Sequence, residues 1–407
     1  MMIKRTLYIN LWEKLSAEKQ MVFLSGARQA GKTTLAKEIA KGFANNFYFN
    51  WDFLEHKKLL LKNPAFFENI NRKDNSEPLV ILDEIHKYKR WKNYLKGIYD
   101  QYSQDYKFLV SGSGRLDLYR KGGDSLAGRY FQFHLFPFTS AELGGRNRKF
   151  HEFIKSPLKL DTAGGKETRE TWNNLFTVGG FPEAFVKGKK DFYTRWIRNY
   201  NAQIVREDIR SIYDVKNIDS IELLFALLPS KVGSPVSMNN LAEELQVSFG
   251  SIKEWLRLFE VFYLAFRISP WTKKISRAIL KEKKLYIYNY PEIENEGFRF
   301  ENMAAVELAR AVHNWNEYGY GRFSLHYIRN KQKEEVDFLI ADRNNPVLLV
   351  ETKLSDDMPA KSLMNFQTVL NVPAVQLVNR ENVFKYVKNG KNRILIATAH
   401  RWLSLLP

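Results

Sequence analysis

Short apolar runs alternate with amphipathic stretches over the first 145 residues of the chain. The runs span residues 21–24, 47–49, 79–82, 108–110 and 130–133. Each run has the length of a buried strand, and the longer stretches between the runs predict helices. Strands that alternate with helices predict a parallel sheet with helices on both faces. The pattern therefore indicates the α/β class.

The remainder of the chain divides into three further segments. Residues 146–228 begin with a polar, glycine-containing stretch and continue with helical apolar spacing, which predicts a linker and a helical, lid-like region. Residues 229–290 predict two short helices with a β-like tail, and residues 291–407 return to an α/β pattern. With residues 1–145, the chain is expected to hold four segments.

The segment at 229–290 has helix-turn-helix spacing, which predicts a winged-helix-like module. Ser237 precedes a predicted helix over 239–245, and Ser248 precedes a second helix that ends near Phe259. Such a module can contact DNA through its second helix, or it can serve for packing or oligomerisation. Both interpretations stay open.

Basic side chains give this module a face that can meet DNA. Lys253 and Arg257 lie four residues apart on the second predicted helix, on one face. A basic run then forms the predicted wing or its approach, and its members are Lys273, Lys274, Arg277, Lys281, Lys283 and Lys284. If the module contacts DNA, this run would meet its phosphates.

A glycine loop that carries a lysine separates the apolar run 21–24 from a helical stretch at 34–40. The loop reads Gly26, Ala27, Arg28, Gln29, Ala30, Gly31, Lys32 and Thr33, and Thr34 opens the helix. In this arrangement backbone N–H groups point at a β-phosphate, Lys32 reaches the β and γ oxygens, and Thr33 ligates Mg²⁺. The chain is therefore expected to bind ATP with Mg²⁺.

A second nucleotide motif is an apolar strand that ends in Asp83 and Glu84. Beside a phosphate loop, Asp83 is expected to hold Mg²⁺ and Glu84 to act as the base for the attacking water. The next strand ends at Ser111, a candidate for contact with the γ-phosphate, although a plain glycine-rich turn explains these residues equally well. Charge on the transferred phosphate also calls for an arginine, and Arg129 is favoured over Arg115.

Composition adds a polyanionic partner to this picture. The 407 residues carry a net charge of +18, with 63 basic residues spread along the chain. DNA is the leading candidate, although an anionic membrane face or plain solubility would use the same charge. The absence of cysteine excludes disulfides and cysteine-ligated zinc. With no secretory signal or membrane-spanning run, a cytoplasmic protein without membrane attachment is expected.

The last segment carries a second chemical constellation. Asp337 lies on a predicted strand, and the next apolar strand delivers Glu351 and Lys353. Adjacent strands place the two acids about a metal ion, and alternation puts Lys353 on the side of Glu351, where it can orient or deprotonate water. Glu301 is a further candidate carboxylate, and Gln367 could position a ligand. An acid and a lysine two residues apart more often form a solvated pair.

Together these motifs resemble a prokaryotic family of AAA-type ATPases with a C-terminal domain of restriction-endonuclease-like fold. The segments that carry the resemblance are Gly26 to Thr34, Leu82 to Ile85, Ser111 to Leu116, Leu126 to Arg129 and Gly179 to Glu183. The resemblance implies an AAA-like ATPase core, then a winged helix, then a nuclease-like domain. Asp337, Glu351 and Lys353 match the Asp, then Glu-x-Lys, of those nucleases.

Three functions remain open at this point. The first is an ATPase that acts on DNA and cleaves it with Mg²⁺, or Mn²⁺, held by Asp337, Glu351 and Glu301. The second is an ATP-dependent switch whose inactive nuclease-like domain only binds nucleic acid or a protein. The third is a membrane-associated signalling ATPase. The sequence contains no amphipathic basic helix that would support this function. Any of these could be a homo-oligomer.

Overall fold

The computed structural model describes residues 3–114, 116, 126–145, 147–160, 166–210, 218–273 and 282–407. The chain forms two compact units. The first contains Met1–Phe136 together with Val261–Tyr263, and the second contains Pro137–Glu260 and Leu264–Pro407. Within the described residues, no helix has both the length and the apolar character needed to cross a membrane.

The first unit is a five-stranded parallel sheet flanked by helices, which confirms the predicted α/β class. Its strands are β1 (Met21–Gly26), β2 (Asn46–Asn50), β3 (Leu79–Asp83), β4 (Lys107–Ser111) and β5 (Phe131–Leu135). Its helices are α1 (Thr6–Glu18), α2 (Lys32–Ala40), α3 (Leu54–Lys62) and α4 (Trp91–Tyr102), with short 3-10 turns at Phe66–Asn69 and Ile85–Lys87. Each strand contains most or all of one predicted apolar run.

The order of the strands sets where a ligand can bind. The sheet runs β2-β3-β4-β1-β5, so the chain reverses its direction of travel across the sheet beside β1. Ligands of open parallel sheets bind outside the carboxyl ends of the strands at such a reversal. The register there pairs Asp83 with Ser111 and Leu24 with Ser111, which brings the ends of β1, β3 and β4 level.

The second unit begins with a run of helices. They are α5 (Ser140–Gly144), α6 (Phe150–Lys155), α7 (Lys166–Val178), α8 (Pro182–Lys187), α9 (Lys190–Ala202), a π-helix at Gln203–Ile209, and α10 (Ile218–Lys231). The amphipathic helix α9 buries Tyr193, Trp196, Ile197 and Tyr200, the spacing that the sequence indicates. Apolar residues three and four apart form a single stripe that packs inward.

The two predicted helices of the helix-turn-helix segment are present as α11 (Met238–Glu244) and α12 (Phe249–Val261). The Ser237 hydroxyl accepts a hydrogen bond from the Asn240 N–H at 3.4 Å, and the Ser248 hydroxyl accepts one from the Ser251 N–H at 3.0 Å. Each serine satisfies an amide of the first helical turn, as expected of an N-cap. These helices alone do not define a winged helix.

The basic face of this segment differs from the expectation. On α12, Lys253 is exposed, whereas Arg257 forms an ion pair with Glu254 at 2.6 Å. Lys273 is exposed, but Lys284 is 1% exposed and ion-paired, so Lys284 does not belong to an exposed basic wing. Lys274, Arg277 and Lys281 lie outside the described residues.

An eight-stranded mixed sheet completes the second unit. Its strands are β6 (Ala265–Pro270), β7 (Lys284–Ile287), β8 (Phe323–Arg329), β9 (Glu335–Asp342), β10 (Asn345–Lys353), β11 (Ala374–Val378), β12 (Phe384–Asn389) and β13 (Asn392–Thr398). Their order is β12-β13-β11-β10-β9-β8-β6-β7. The helices α13 (Glu296–Glu317), α14 (Lys361–Leu370) and α15 (Ala399–Leu403) accompany it, with a 3-10 turn at Tyr290–Glu292. Strands β10 and β11 are parallel, so α14 is a crossover connection.

Helix α13 buries 15 of its 22 residues, and it carries polar side chains inward. Asn302 binds the backbone of Ile287 through both its oxygen, at 2.9 Å, and its nitrogen, at 2.6 Å, which fixes β7 against the helix. Glu307 accepts a hydrogen bond from the Ser140 N–H at 2.5 Å. Burial raises the pKa of the Glu307 carboxyl to about 7, although Ser140 and Arg310 act in the opposite direction.

This raised pKa predicts a pH-dependent stability. The folded chain binds the Glu307 proton more tightly than the unfolded chain, whose value is 4.5, so the contribution is complete below 4.5 and lost as the pH rises through about 7. The free energy of unfolding should therefore fall between pH 5 and pH 8, and Glu307→Gln should make that fall smaller by up to about 3 kcal/mol, as measured by urea unfolding at the two pH values. Glu296→Gln, at an exposed position of the same helix, is the control. An unchanged pH dependence in Glu307→Gln would contradict the assignment.

Candidate functional site

The phosphate loop occupies the turn from β1 into α2. Gly26 has φ 150°, and a Cβ there would lie 2.3 Å from the Leu135 carbonyl oxygen of β5, so no larger residue fits. Gly31 has φ 95° and is the N-cap residue of α2, which begins at Lys32. A left-handed glycine at this point turns the chain so that the first amides of the helix stay available to an anion.

Lys32 lies against its own loop. Its ammonium group donates hydrogen bonds to the carbonyl oxygens of Gly26, at 3.0 Å, and Ala27, at 2.8 Å, and the residue is 7% exposed. Carbonyl dipoles thus hold the charge at the loop. The ammonium group thus lies at the loop, and its contact with the β and γ oxygens of a nucleotide stays a prediction.

Asp83 is the centre of the first site because three hydroxyl groups donate to its carboxylate. Thr33 donates to Oδ2 at 2.7 Å, Tyr48 donates to the same oxygen at 2.8 Å, and Ser111 donates to Oδ1. The structure therefore brings together Thr33, Asp83 and Ser111, which the sequence singles out separately. A hydroxyl and a carboxylate are oxygen ligands suited to Mg²⁺, so Thr33 and Asp83 fit this ion.

Tyr48 is a member of this site that sequence reasoning missed. It lies on β2, and its phenol also accepts a hydrogen bond from the Asn50 amide at 3.1 Å. Burial, together with the negative charge of Asp83, raises the pKa of Tyr48 well above its usual range, while Asn50 acts in the opposite direction. The phenol is therefore a permanent donor to Asp83. The sequence could have indicated this role, because Tyr48 carries a hydroxyl group within an otherwise apolar predicted strand.

Glu84 follows Asp83 with a left-handed backbone, φ 57°, and its N–H donates to the Ser111 carbonyl at 2.9 Å. Its carboxylate contacts Lys87 at 3.0 Å and His86 at 3.6 Å. Burial lowers the pKa of Lys87, but Glu84 and Asp52 outweigh it and raise that pKa overall. The predicted base is thus held by a lysine that stays charged.

The structure does not bring Arg129 to the phosphate loop. Arg129 lies two residues before β5, at the amino edge of the parallel sheet, whereas the loop follows β1 at the carboxyl edge. There it forms a two-point ion pair with Asp100, at 2.6 and 3.1 Å. Arg115 lies outside the described residues.

The second unit holds a separate cluster of acids and lysines at β9 and β10. Glu351 accepts a hydrogen bond from the Asp337 N–H at 3.2 Å and contacts Lys353 Nζ at 2.7 Å. Asp337 Oδ2 accepts from Thr352 twice, from its N–H at 2.9 Å and from its hydroxyl at 2.6 Å. The structure therefore brings Asp337, Glu351 and Lys353 together, as the alternation along two adjacent strands predicts.

Three more charged side chains extend this cluster. Lys284 of β7 lies 3.1 Å from Glu301 Oε1, 2.6 Å from Glu335 Oε1 and 3.8 Å from Asp337 Oδ1. Tyr286, two residues on, donates to Glu301 Oε1 at 2.7 Å. Sequence reasoning missed Lys284, Glu335 and Tyr286 as site residues, although alternation along β7 puts Lys284 and Tyr286 on one face.

Burial makes the charged form of the acids in this cluster less favourable. It raises the pKa of Glu351 to about 8, and the charge of Asp337 adds to this effect while Lys353 opposes it. Burial and Asp337 likewise raise the pKa of Glu301 to about 7. Carboxylates that are crowded in this way attract a cation, and their oxygens suit Mg²⁺ or Mn²⁺. Asp337 and Glu351 would hold such an ion.

Gln367 is not part of the cluster. Its amide donates to the Arg393 carbonyl at 3.0 Å, and its oxygen accepts from Asn389 at 2.9 Å. These partners belong to the hairpin formed by β12 and β13. Gln367 therefore has contacts that tie α14 to that hairpin.

Three family models match successive parts of the chain. Residues 18–144 match an AAA domain, residues 169–290 match a domain of unknown function (DUF8612), and residues 296–398 match another domain of unknown function (DUF4143). The first match and the site described above identify the N-terminal part as a P-loop, AAA-like ATPase domain. The other two matches assign no activity.

Two proteins of similar sequence are named as uncharacterized. An uncharacterized protein of Methanocaldococcus jannaschii is 25% identical over 297 residues, which is 67% of this chain and 62% of that protein. An uncharacterized protein of Mycobacterium tuberculosis is 20% identical over 315 residues, or 72% of this chain and 64% of that protein. The chain thus spans less than two thirds of the length of these relatives.

Solved structures with partial likeness include a Walker-type ATPase of Pyrococcus abyssi, with a TM-score of 0.45 and 13% identity over 72% of this chain and 95% of that one. Another is the Aeropyrum pernix Orc1 protein in complex with DNA, with a TM-score of 0.32 and 10% identity over 73% of this chain and 92% of that one. Likenesses at this level carry no argument about function.

The hydroxyl-bound carboxylate of Asp83 predicts how the nucleotide site depends on magnesium. Asp83→Asn should weaken binding of ATP with Mg²⁺ by about tenfold or more and leave binding without Mg²⁺ nearly unchanged, because the lost charge faces the ion. Calorimetric titration with and without Mg²⁺ measures both affinities. Asp100→Asn, which changes an acid of α4 paired with Arg129, is the matched control. Equal losses in both titrations would argue against a metal role for Asp83.

Proposed function

We propose that this protein is an ATPase that acts on DNA and that its C-terminal cluster cleaves DNA with a divalent metal ion. The convergence of Thr33, Ser111 and Tyr48 on Asp83, beside Lys32, is the observation that carries the ATPase part. The remaining parts rest on the charge of the chain and on the second cluster. Each part has its own test.

Hydrolysis needs a water activated next to the γ-phosphate. Glu84 is proposed as the base, because it follows Asp83 directly and its amide is fixed by Ser111. The Lys87 ammonium group lies 3.0 Å from the Glu84 carboxylate and would have to move away for Glu84 to accept a proton from water. Ser111 is proposed to sense the γ-phosphate, and the loop residues Gly26 to Thr34 to bind the phosphates. From its place at the far edge of the sheet, Arg129 would have to act on a nucleotide held by another copy.

Action on DNA is supported by charge. The net charge of +18 creates a field that attracts phosphate chains. Exposed Lys253 and Lys273 keep part of the predicted basic face in the second unit. Because Lys284 is withdrawn from that face, the helix-turn-helix segment has fewer cations for DNA than the sequence suggests.

Cleavage is supported by the geometry around Asp337, Glu351 and Lys353. Two acids on neighbouring strands face one another, and 37% of the Lys353 side chain is exposed. It can therefore reach a water molecule at the surface of the cluster. A metal ion at Asp337 and Glu351 would supply charge that stabilises the attacked phosphate. The order α13, β8 to β10, α14 and β11 is consistent with the expected restriction-endonuclease-like fold.

The alternative is an ATP-dependent switch whose second unit binds but does not cut. The observation that favours it is that Asp337 is already engaged by Thr352 and Lys284. ATP turnover measured with and without DNA, beside the same DNA on a cleavage gel, separates the two functions. Stimulated turnover without cleavage supports the switch, and both effects together support the nuclease.

For the ATPase part, Lys32→Ala should abolish hydrolysis, because the ammonium group that binds the phosphates is lost. Glu84→Gln should lower turnover by about 100-fold or more and retain ATP longer, since the base is removed and the phosphate contacts stay. A phosphate-release assay and a nucleotide-retention assay check these results. Lys41→Ala, which removes an exposed lysine paired with Glu38, is the control. Hydrolysis that persists in Lys32→Ala would remove the assignment.

For the nuclease part, Glu351→Gln should abolish nicking of supercoiled DNA in Mg²⁺ or Mn²⁺, because a metal ligand is neutralised without loss of volume. The gel is read against Glu244→Gln, which changes an exposed acid paired with Lys231 in the same unit. Equal nicking by wild type and Glu351→Gln would assign the activity to another site or to a contaminant.

A further inference from the structure

Lys284 has the surroundings that proteins usually give to a metal ion. Its ammonium group contacts one oxygen from each of Glu301, Glu335 and Asp337, at 3.1, 2.6 and 3.8 Å. These acids come from α13 and from β9, so two elements converge on the one nitrogen. Glu301 and Glu335 lie within hydrogen-bond distance of the ammonium donors, and Asp337 adds an ionic contact at 3.8 Å.

The lysine is fixed in this place. It is 1% exposed, and Asn302 binds the backbone of Ile287 on the same strand through both of its amide atoms. Tyr286 donates to the Glu301 oxygen that Lys284 also contacts, so that oxygen already has two donors. Moving the ammonium group away would leave buried acids without a counter-charge, which is strongly unfavourable. Lys353, in contrast, has 37% of its side chain exposed and can move.

Charge counting limits what else can bind. Four carboxylates meet here, those of Glu301, Glu335, Asp337 and Glu351. When all four are ionised, Lys284 and Lys353 supply two positive charges, which leaves a charge of −2. Arg329 approaches Glu335 at 3.6 Å, but its side chain is 36% exposed and water screens it. One divalent ion balances the remainder. A second one would bring unmatched positive charge into a buried site.

Resting on the proposed metal-dependent function, we infer that Lys284 replaces a second metal ion. The cluster therefore binds a single divalent ion, at Asp337 and Glu351, while Glu301 and Glu335 bind the lysine. Lys284 lies in the segment 169–290, which matches one family model, whereas the four acids lie in the segment 296–398, which matches another. The cluster therefore depends on a residue from the preceding matched segment.

The test counts Mn²⁺ ions by electron paramagnetic resonance in the nucleotide-free, full-length chain. Asp83→Asn is the common background, because it removes the metal ligand of the phosphate loop. This background should bind one ion, and adding Glu351→Gln should abolish binding. Adding Glu301→Gln should leave one ion, since Glu301 binds the lysine. Adding Lys284→Met should raise the count to two, whereas Lys385→Met, at a lysine paired with Asp357, should leave it at one.

The outcomes separate the inference from the proposed function. Loss of the ion in Glu301→Gln, two ions in the background chain, or an unchanged count in Lys284→Met would overturn the role of Lys284 and leave metal-dependent cleavage standing. A cluster that binds no ion with or without Lys284 would overturn metal-dependent cleavage itself. If Lys284→Met does not fold by circular dichroism, the Glu301→Gln count still decides.

Discussion

Buried carboxylates control the arrangement of both units. Taking a charged carboxylate out of water costs on the order of several kcal/mol unless donors or cations reach its oxygens. The first unit meets this requirement with neutral hydroxyls around Asp83. The second meets it with ammonium groups, chiefly that of Lys284. The choice of partner matters, because hydroxyls leave the full negative charge for a metal ion and ammonium groups cancel part of it.

The two solutions therefore prepare different chemistry. Around Asp83 the positive charge must come from outside, with the nucleotide, so the site is incomplete until its ligand arrives. In the cluster of the second unit, Lys284 and Lys353 supply half of the compensating charge, and burial raises the pKa of Glu351 to about 8. A site of the first kind draws all of its positive charge from a ligand, whereas one of the second kind needs only the remaining half.

Local patterns predicted much of this structure. Apolar runs located all five strands of the first unit, and the loop chemistry placed Lys32, Thr33, Asp83 and Ser111 at one end of the sheet. The serine caps of α11 and α12 were equally local. What the sequence could not reveal depends on long-range packing. Lys284 looks like one member of a basic run until the fold shows that β7 turns it towards acids of α13 and β9, 17 to 53 residues later in the chain.

The two-point contact between Asn302 and Ile287 bears on how the protein can be divided. Sequence families suggest a cut near residue 290, between two matched segments. A fragment that starts there would keep Asn302, Glu301 and Asp337 but lose the strand that Asn302 holds and the lysine between the acids. The segments that match sequence families therefore do not coincide with the parts of the chain that are stable together. Recombination at that boundary would be tolerated only if the incoming partner also supplied a strand with a buried cation.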